Sequence, residues 1–121
     1  MTYVDGFLIP VHKDKIDLYK QLATKAAKIW IEYGALDFKE NVAEDTNVAD
    51  GMLSFSKVMN PKQDEIVVFS FIVFKSRAHR DEVNAKVMAD QRLKDECKDM
   101  PFDFERMVYG GFETIVDLKG N

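Results

Sequence analysis

The order of hydrophobic patterns along the chain predicts an α+β fold, in which two helices cover one face of a four-stranded, mostly antiparallel sheet. Segments with strand-like alternation and segments with helical spacing follow one another as strand, helix, strand, strand, helix, strand. The 121 residues suit one domain, and no repeat, linker or low-complexity tract divides them. This order is the split βαβ arrangement of a ferredoxin-like βαββαβ fold, which we expect to span residues 1–121 as a single domain.

The first half of the chain contains a strand, a long helix and a second strand. Residues Tyr3–Val11 are rich in aromatic and β-branched side chains, which is typical of a strand. Apolar residues recur every three or four positions over Lys15–Tyr33 and indicate a helix, with Asp14 as its N-cap and Gly34 just beyond its end. Strand-like alternation resumes over Ala35–Asp45.

The second half contains the strongest strand pattern of the chain, Glu65–Phe74. Before it, Met52–Met59 alternates weakly and predicts a further strand. After it, Ser76–Asp90 has helical spacing and opens on a residue suited to an N-cap, and Gln91–Met100 suggests a short helix or turn. The last predicted strand is Arg106–Leu118, in which a pair of glycines predicts a bulge or a close backbone approach.

The central strand is apolar on both of its faces. In Ile66–Phe74 the two alternating sets of side chains are both hydrophobic except for Ser70, whereas a sheet with one face in water alternates apolar and polar residues. Two helices can cover only one face of the sheet. The other face would expose more than the few hundred Å² of apolar surface usual for a monomer. We therefore expect a homodimer in which two sheets pack face to face.

Charge and composition exclude several classes of function. Seventeen Lys and Arg against twenty-one Asp and Glu leave a net charge of −4, which does not favour binding to nucleic acid. The longest apolar run, Ile66–Phe69, is far shorter than a membrane span. The N-terminus has no signal-peptide pattern, and the lone Cys97 suits a reducing compartment. We expect a cytoplasmic protein that binds neither nucleic acid nor membrane.

Five polar residues form the candidate ligand-binding set. Arg80 and Asn84 are four positions apart on a helix stripe that borders its apolar face, so both should face the sheet. Asp5 lies within an apolar strand and needs a partner, which Arg106 or Tyr109 of the neighbouring last strand could supply. Such a cluster could polarise a ligand. It could equally be a structural hydrogen-bond network or an ion pair at the dimer interface.

No pattern predicts a metal site, a cofactor or a catalytic residue. His12 and His79 lie far apart, without the short spacing of paired metal ligands. Neither histidine has an assignable partner to hold it as a general base, and Cys97 belongs to no Cys/His arrangement. The sequence therefore leaves open whether the protein is an enzyme.

Six short stretches spread over essentially the whole chain share their order and spacing with one family. They are Tyr3–Phe7, Val67–Ser70, Arg80–Asn84, Met88–Asp90, Met100–Asp103 and Arg106–Phe112. Together they resemble the YbaA-like bacterial family, a domain of unknown function numbered 1428, and the last two stretches are the most specific. The resemblance implies a dimeric α/β barrel. Its wider superfamily includes cofactor-independent monooxygenases, dehydratases, isomerases and proteins that only bind a ligand.

Two functions follow as alternatives. In the first, the protein binds a small organic ligand between sheet and helices, with monooxygenase-like or isomerase-like activity as the resemblance implies. In the second, it is a non-enzymatic homodimeric sensor or interaction module, in which the same polar residues only hold the structure together. Neither the ligand nor a reaction can be read from the residues.

Overall fold

The computed structural model describes residues 1–121 and confirms the predicted α+β class. Its four strands form one antiparallel sheet in the order β2-β3-β1-β4, the strand order of a ferredoxin-like fold. Two 3-10 turns, Lys13–Lys15 and Phe104–Arg106, precede α1 and β4. The elements are β1 (Tyr3–His12), α1 (Ile16–Glu32), β2 (Asp37–Val42), α2 (Phe55–Met59), β3 (Glu65–Phe74), α3 (Arg77–Ala89), α4 (Gln91–Glu96) and β4 (Val108–Glu113).

Local chemistry explains most helix boundaries. The hydroxyl of Ser76 accepts a hydrogen bond from the His79 amide and caps α3, as predicted. Gly34 has a φ of +116° directly after α1, a backbone conformation that favours glycine. The predicted cap at Asp14 is wrong, because that residue lies in the 3-10 turn and α1 begins after Lys15 without a side-chain cap.

The strand predicted over Met52–Met59 is also wrong. Its second half is α2, whose N-terminus is capped by the Ser54 hydroxyl and whose C-terminus is followed by Asn60 in the left-handed region. The ring of Phe55 packs on Phe69 of β3 with 5.7 Å between centroids. A five-residue helix is too short for periodicity to reveal, so its cap and this contact define it.

The last strand is shorter than predicted and carries no bulge. Gly110 and Gly111 continue the regular register of β4 with β1, the latter opposite Asp5. The expected close backbone approach is not found either, because the atoms that a Cβ at Gly111 would overlap belong to the side chain of Tyr3. Arg106 precedes β4 and lies in a 3-10 turn rather than in a strand.

The helices cover one face of the sheet and leave the opposite face open. On the covered face, alternate residues of β1 and β3 pack against α1 and α3 in two buried clusters. On the other face, Phe69 is 41% exposed and Phe112 is 61% exposed, and only α2 lies against it. We call this second surface the open face. Its apolar side chains are Val4, Leu8, Phe69, Phe71, Val73, Val108 and Phe112.

Candidate functional site

Four of the five predicted site residues meet on the helix-covered face of the sheet. Asp5 on β1 is only 1% exposed. Arg80 on α3 donates through Nη1 to Asp5 Oδ1 at 2.8 Å and to the Tyr109 hydroxyl at 2.7 Å. Asn84, one turn further along α3, donates through Nδ2 to Asp5 Oδ2 at 3.3 Å. We call these four residues the Asp5 network.

Neighbouring groups complete the Asp5 network. The guanidinium of Arg80 lies 4.9 Å from the ring centroid of Tyr3, and its Nε donates to Asp81 Oδ1 at 2.8 Å. The Asn84 Oδ1 accepts from the Trp30 indole of α1 at 2.9 Å. Burial, followed by the charge of Asp5, raises the pKa of Tyr109. No buried side-chain nitrogen or oxygen of the chain lacks a partner.

Through Trp30, the Asp5 network therefore joins both long helices to two strands, and none of its buried polar atoms lacks a partner. Satisfied buried polar networks of this kind make a packing arrangement unique. The ligand-binding role proposed for its residues from the sequence stays a prediction.

Arg106 does not belong to the Asp5 network. Of the two partners expected for Asp5, Arg106 is therefore wrong. The other, Tyr109, is joined to Asp5 through Arg80. The guanidinium of Arg106 instead binds Glu65, at the start of β3, through two hydrogen bonds of 2.9 and 2.7 Å. The cause is the 3-10 turn before β4, which places Arg106 beyond the end of that strand. Hydrogen bonding from Arg106 lowers the pKa of Glu65 to about 2.

A second carboxylate on the same face was missed by the sequence analysis. Glu40 lies on β2 directly opposite Ser70 of β3, and its Oε2 accepts a hydrogen bond from the Tyr19 hydroxyl at 2.6 Å. Burial raises the pKa of Glu40 from 4.5 to about 7, although the hydroxyls of Tyr19 and Ser70 act in the opposite direction. No basic side chain contributes to that shift. The sequence did contain a signal for this residue. Glu40 is two positions from both Phe38 and Val42, so in a strand it lies on the same face as these two apolar residues.

Glu40 lines a cavity between the sheet and the helices. The cavity has a volume of about 450 Å³, and most of the residues around it are hydrophobic. A groove of about 800 Å³ follows the outer side of α1 and β2, and Tyr19 and Glu40 line both spaces. The rings and thioethers of the cavity wall include Phe7, Trp30, Phe38, Met100, Phe102 and Phe104.

The Asp5 network contacts residues of the cavity wall but does not itself line the cavity. None of its four residues lines the cavity, but two of their partners do. Phe7 packs against Tyr109 with 5.1 Å between ring centroids, and the Trp30 indole is held by Asn84. The network thus fixes part of the cavity wall.

The remaining reactive groups do not assemble into a catalytic or metal centre. His12 pairs with Asp64 at 2.9 Å, and His79 accepts a hydrogen bond from the Lys75 amide. The Cys97 thiol lies 3.7 Å from the Leu22 carbonyl, and burial raises its pKa, which disfavours the thiolate. No group of His, Cys, Asp or Glu is arranged to hold a metal ion. None of the helices combines the length and hydropathy needed to cross a bilayer.

Comparison with solved structures agrees with the ferredoxin-like topology. The crystal structure of a dimeric ferredoxin-like protein from an uncultured marine organism superimposes with a TM-score of 0.60 at 13% sequence identity. The match covers 98% of this chain and 100% of the other. This similarity establishes the class of fold.

Sequence comparison identifies the family within that class. The family model described as a protein of unknown function, DUF1428, matches residues 2–104, and the chain belongs to this family. Uncharacterized protein YbaA from Escherichia coli K12 and from Shigella flexneri is 46% identical over 118 residues, covering 97% of this chain and 99% of the relative. The resemblance predicted from the short sequence stretches is confirmed. Neither name states an activity, so the function has to be inferred from the geometry of the chain.

Proposed function

We propose that the protein is a homodimer in which each subunit binds a small organic molecule in the cavity between sheet and helices. One observation carries the ligand-binding half of the proposal, namely a half-buried carboxyl group with no cationic partner, beside an apolar cavity of about 450 Å³. Apolar cavities with a few convergent polar groups and a perturbed pKa are typical of binding sites. Glu40 is the polar group that would orient the ligand.

The pKa of Glu40 also supports an enzymatic version of this function. A general base works best when its pKa is close to the working pH, and that of Glu40 is raised to about 7. A monooxygenase-like or isomerase-like reaction needs a proton to be removed from the substrate. Glu40 is the group in the cavity wall that could accept it.

The open face supports the homodimer. Its apolar side chains cover three strands, and each copy would offer the same surface to the other, which suits a two-fold interface. Sheets packed face to face lie about 10 Å apart and interdigitate their side chains. The related fold from a marine organism is described as dimeric. A cytoplasmic location and the absence of nucleic-acid binding remain part of the proposal, on the grounds of charge and the lone cysteine.

The alternative is a sensor or interaction module whose polar cluster is purely structural. The saturated hydrogen bonding of the Asp5 network supports this view of the network itself. It does not account for Glu40. A ligand-binding sensor would still use the cavity, whereas an interaction module would bind no small molecule there.

Native mass spectrometry of gently purified protein tests both halves of the proposal. We expect a mass near 28 kDa, twice 13.9 kDa, with additional mass from a bound small molecule. The Phe112→Asp variant places a charge on the open face and should give the 13.9 kDa monomer. Val48→Asp, at an exposed loop position, is the matched control and should leave the dimer intact. A Phe112→Asp variant that remains fully dimeric would contradict the interface.

The cavity is tested by filling it. Ala26 lies in its wall, and Ala26→Leu should remove the bound mass by occupying its space. Ala49→Leu, in an exposed loop, serves as the control. Thermal melting shows whether each variant is folded. Retention of the bound molecule by a folded Ala26→Leu variant would place the ligand elsewhere.

A further inference from the structure

The walls of the cavity and its single, half-buried carboxylate indicate the class of ligand that it would take. We infer that the cavity binds a neutral aromatic molecule with a hydroxyl group, which donates its hydrogen bond to Glu40. This inference rests on the proposed function, because it names the ligand class of the same cavity.

The cavity wall is rich in aromatic rings that come from different elements. Trp30 of α1 and Phe38 of β2 lie 5.8 Å apart with tilted planes, and Tyr19 meets Phe102 edge to face at 6.1 Å. Phe7 of β1 adds a ring from the sheet. Aromatic pairs in offset or edge-to-face arrangements attract each other more strongly than the area they bury accounts for. A flat aromatic ligand can make several such contacts at once, whereas an aliphatic ligand gains only from burial.

The hydrogen-bonding groups of the cavity favour a ligand with a single donor. Glu40 and Ser70 face the same side of the sheet, and Glu40 Oε2 already accepts from Tyr19, so its other oxygen can receive a further donor. A hydroxyl group has one hydrogen to donate. An ammonium group has three and would leave some of them without an acceptor in this apolar space.

Charge excludes the anionic alternative. Above the pKa of Glu40, a ligand carboxylate beside it would bring two negative charges together, which disfavours binding. Lys98 also lines the cavity, but its residue is exposed to solvent. The cavity therefore presents a carboxylate acceptor, and the only basic residue in its wall is exposed.

The acceptor is held in place before any ligand arrives. Tyr19 is 3% exposed and fixes the carboxyl group from α1, while the register of β2 with β3 sets it beside Ser70. Trp30 is fixed in turn by Asn84. A site with immobilised polar and aromatic groups loses little conformational entropy on binding, which increases affinity and selectivity.

Four naphthalene probes of equal ring size test the ligand class. They are 2-naphthol, naphthalene, 2-naphthoate and 2-naphthylmethylammonium. Each is titrated calorimetrically into the full-length protein at about pH 8, above the pKa of Glu40, where its carboxyl group is mostly ionised. We expect 2-naphthol to bind about tenfold more tightly than naphthalene, because a hydrogen bond to an ionised carboxylate adds about that much. The naphthoate and the ammonium probe should bind more weakly than 2-naphthol.

The Glu40→Gln variant tests the assigned acceptor. It should lower the affinity for 2-naphthol towards that for naphthalene, without changing the affinity for naphthalene itself. Glu44→Gln, at an exposed position beyond β2, is the matched control and should bind all four probes as the unmodified protein does. Melting curves of both variants establish that they are folded.

The outcomes separate the two proposals. Equal binding of 2-naphthol and naphthalene would overturn the ligand class while leaving the cavity as a binding site. A folded Glu40→Gln variant that binds 2-naphthol as tightly as the unmodified protein would overturn the role of the Glu40 carboxylate. Binding of none of the four probes would count against both the ligand class and the proposed function of the cavity.

Discussion

Two carboxylates on the same face of one sheet differ in their partners, since one has a cationic partner and the other has none. Asp5 on β1 is 1% exposed and receives hydrogen bonds from Arg80 and Asn84. Glu40 on β2 receives one from Tyr19, has no cationic partner, and has its pKa raised to about 7. A buried carboxylate with a cationic partner fixes the packing around it. One without a cation can change its protonation state near neutral pH.

The largest expected effect comes from breaking the paired site. Asp5→Ala removes the buried partner of Arg80, whose side chain is only 13% exposed. Removing one member of a buried ion pair typically lowers the free energy of unfolding by roughly 3–5 kcal/mol. Urea denaturation at neutral pH and fixed protein concentration measures this loss.

Asp81 supplies the matched control for that substitution. It also binds Arg80, but its side chain is 59% exposed, so Asp81→Ala should lower stability by less than about 1 kcal/mol. Equal losses for the two variants would show that burial of the Asp5 pair contributes no special stability.

The unpaired site should produce the next largest effect, seen in its pH dependence. Because the folded-state pKa of Glu40 is raised from 4.5 to about 7, folding favours its protonated form. Its contribution is fully present below pH 4.5 and is lost as the pH rises through about 7. The shift corresponds to about 3 kcal/mol. Glu40→Gln should therefore gain stability relative to the unmodified protein between about pH 5 and about pH 8.

Urea denaturation at both pH values measures this change. Glu44→Gln, which removes an exposed carboxylate near the end of β2, should track the unmodified protein across the range. If the stability of Glu40→Gln depends on pH in the same way as that of the unmodified protein, the raised pKa of Glu40 is contradicted.

A smaller effect distinguishes a wall-forming residue from a ligand-binding one. Asn84→Ala removes hydrogen bonds to Asp5 and Trp30 and should lower stability by about 1–3 kcal/mol. If Asn84 only holds the wall, the melting temperature should fall clearly and the affinity for 2-naphthol should change little. Asn41→Ala, at an exposed position of β2, is the control. A large loss of affinity with an unchanged melting temperature would instead assign Asn84 to the ligand.

Part of the candidate site followed from the sequence and part did not. The spacing of Arg80 and Asn84 placed both on the sheet-facing stripe of α3, and the topology brought Asp5 and Tyr109 to them. The assignment of Arg106 failed because it assumed a strand where the chain makes a 3-10 turn. The ends of helices and strands are uncertain by one or two residues when they are assigned from patterns. The start of β4 was predicted two residues too early, and Arg106, which lies before the strand, binds Glu65 instead of Asp5.

Glu40 was missed for a different reason. Its strand alternates apolar and charged residues in a way that fits a half-exposed edge strand. The burial of the Glu40 carboxyl group depends on how closely α1 packs against β2, because this packing places the Tyr19 hydroxyl within hydrogen-bond distance of it. The distance between two elements cannot be predicted from the pattern of residues within either one.

The sequence by itself determined the order of the elements and which sets of side chains share a face. The periods of helices and strands are properties of the local backbone. The spacing of apolar residues along a short stretch of sequence is therefore enough to predict them. Only the tertiary structure decided which carboxylate is paired, which one is left with a raised pKa, and where the cavity lies. Those properties depend on desolvation and on distances between residues far apart in the chain, such as Asp5 and Arg80 at 2.8 Å.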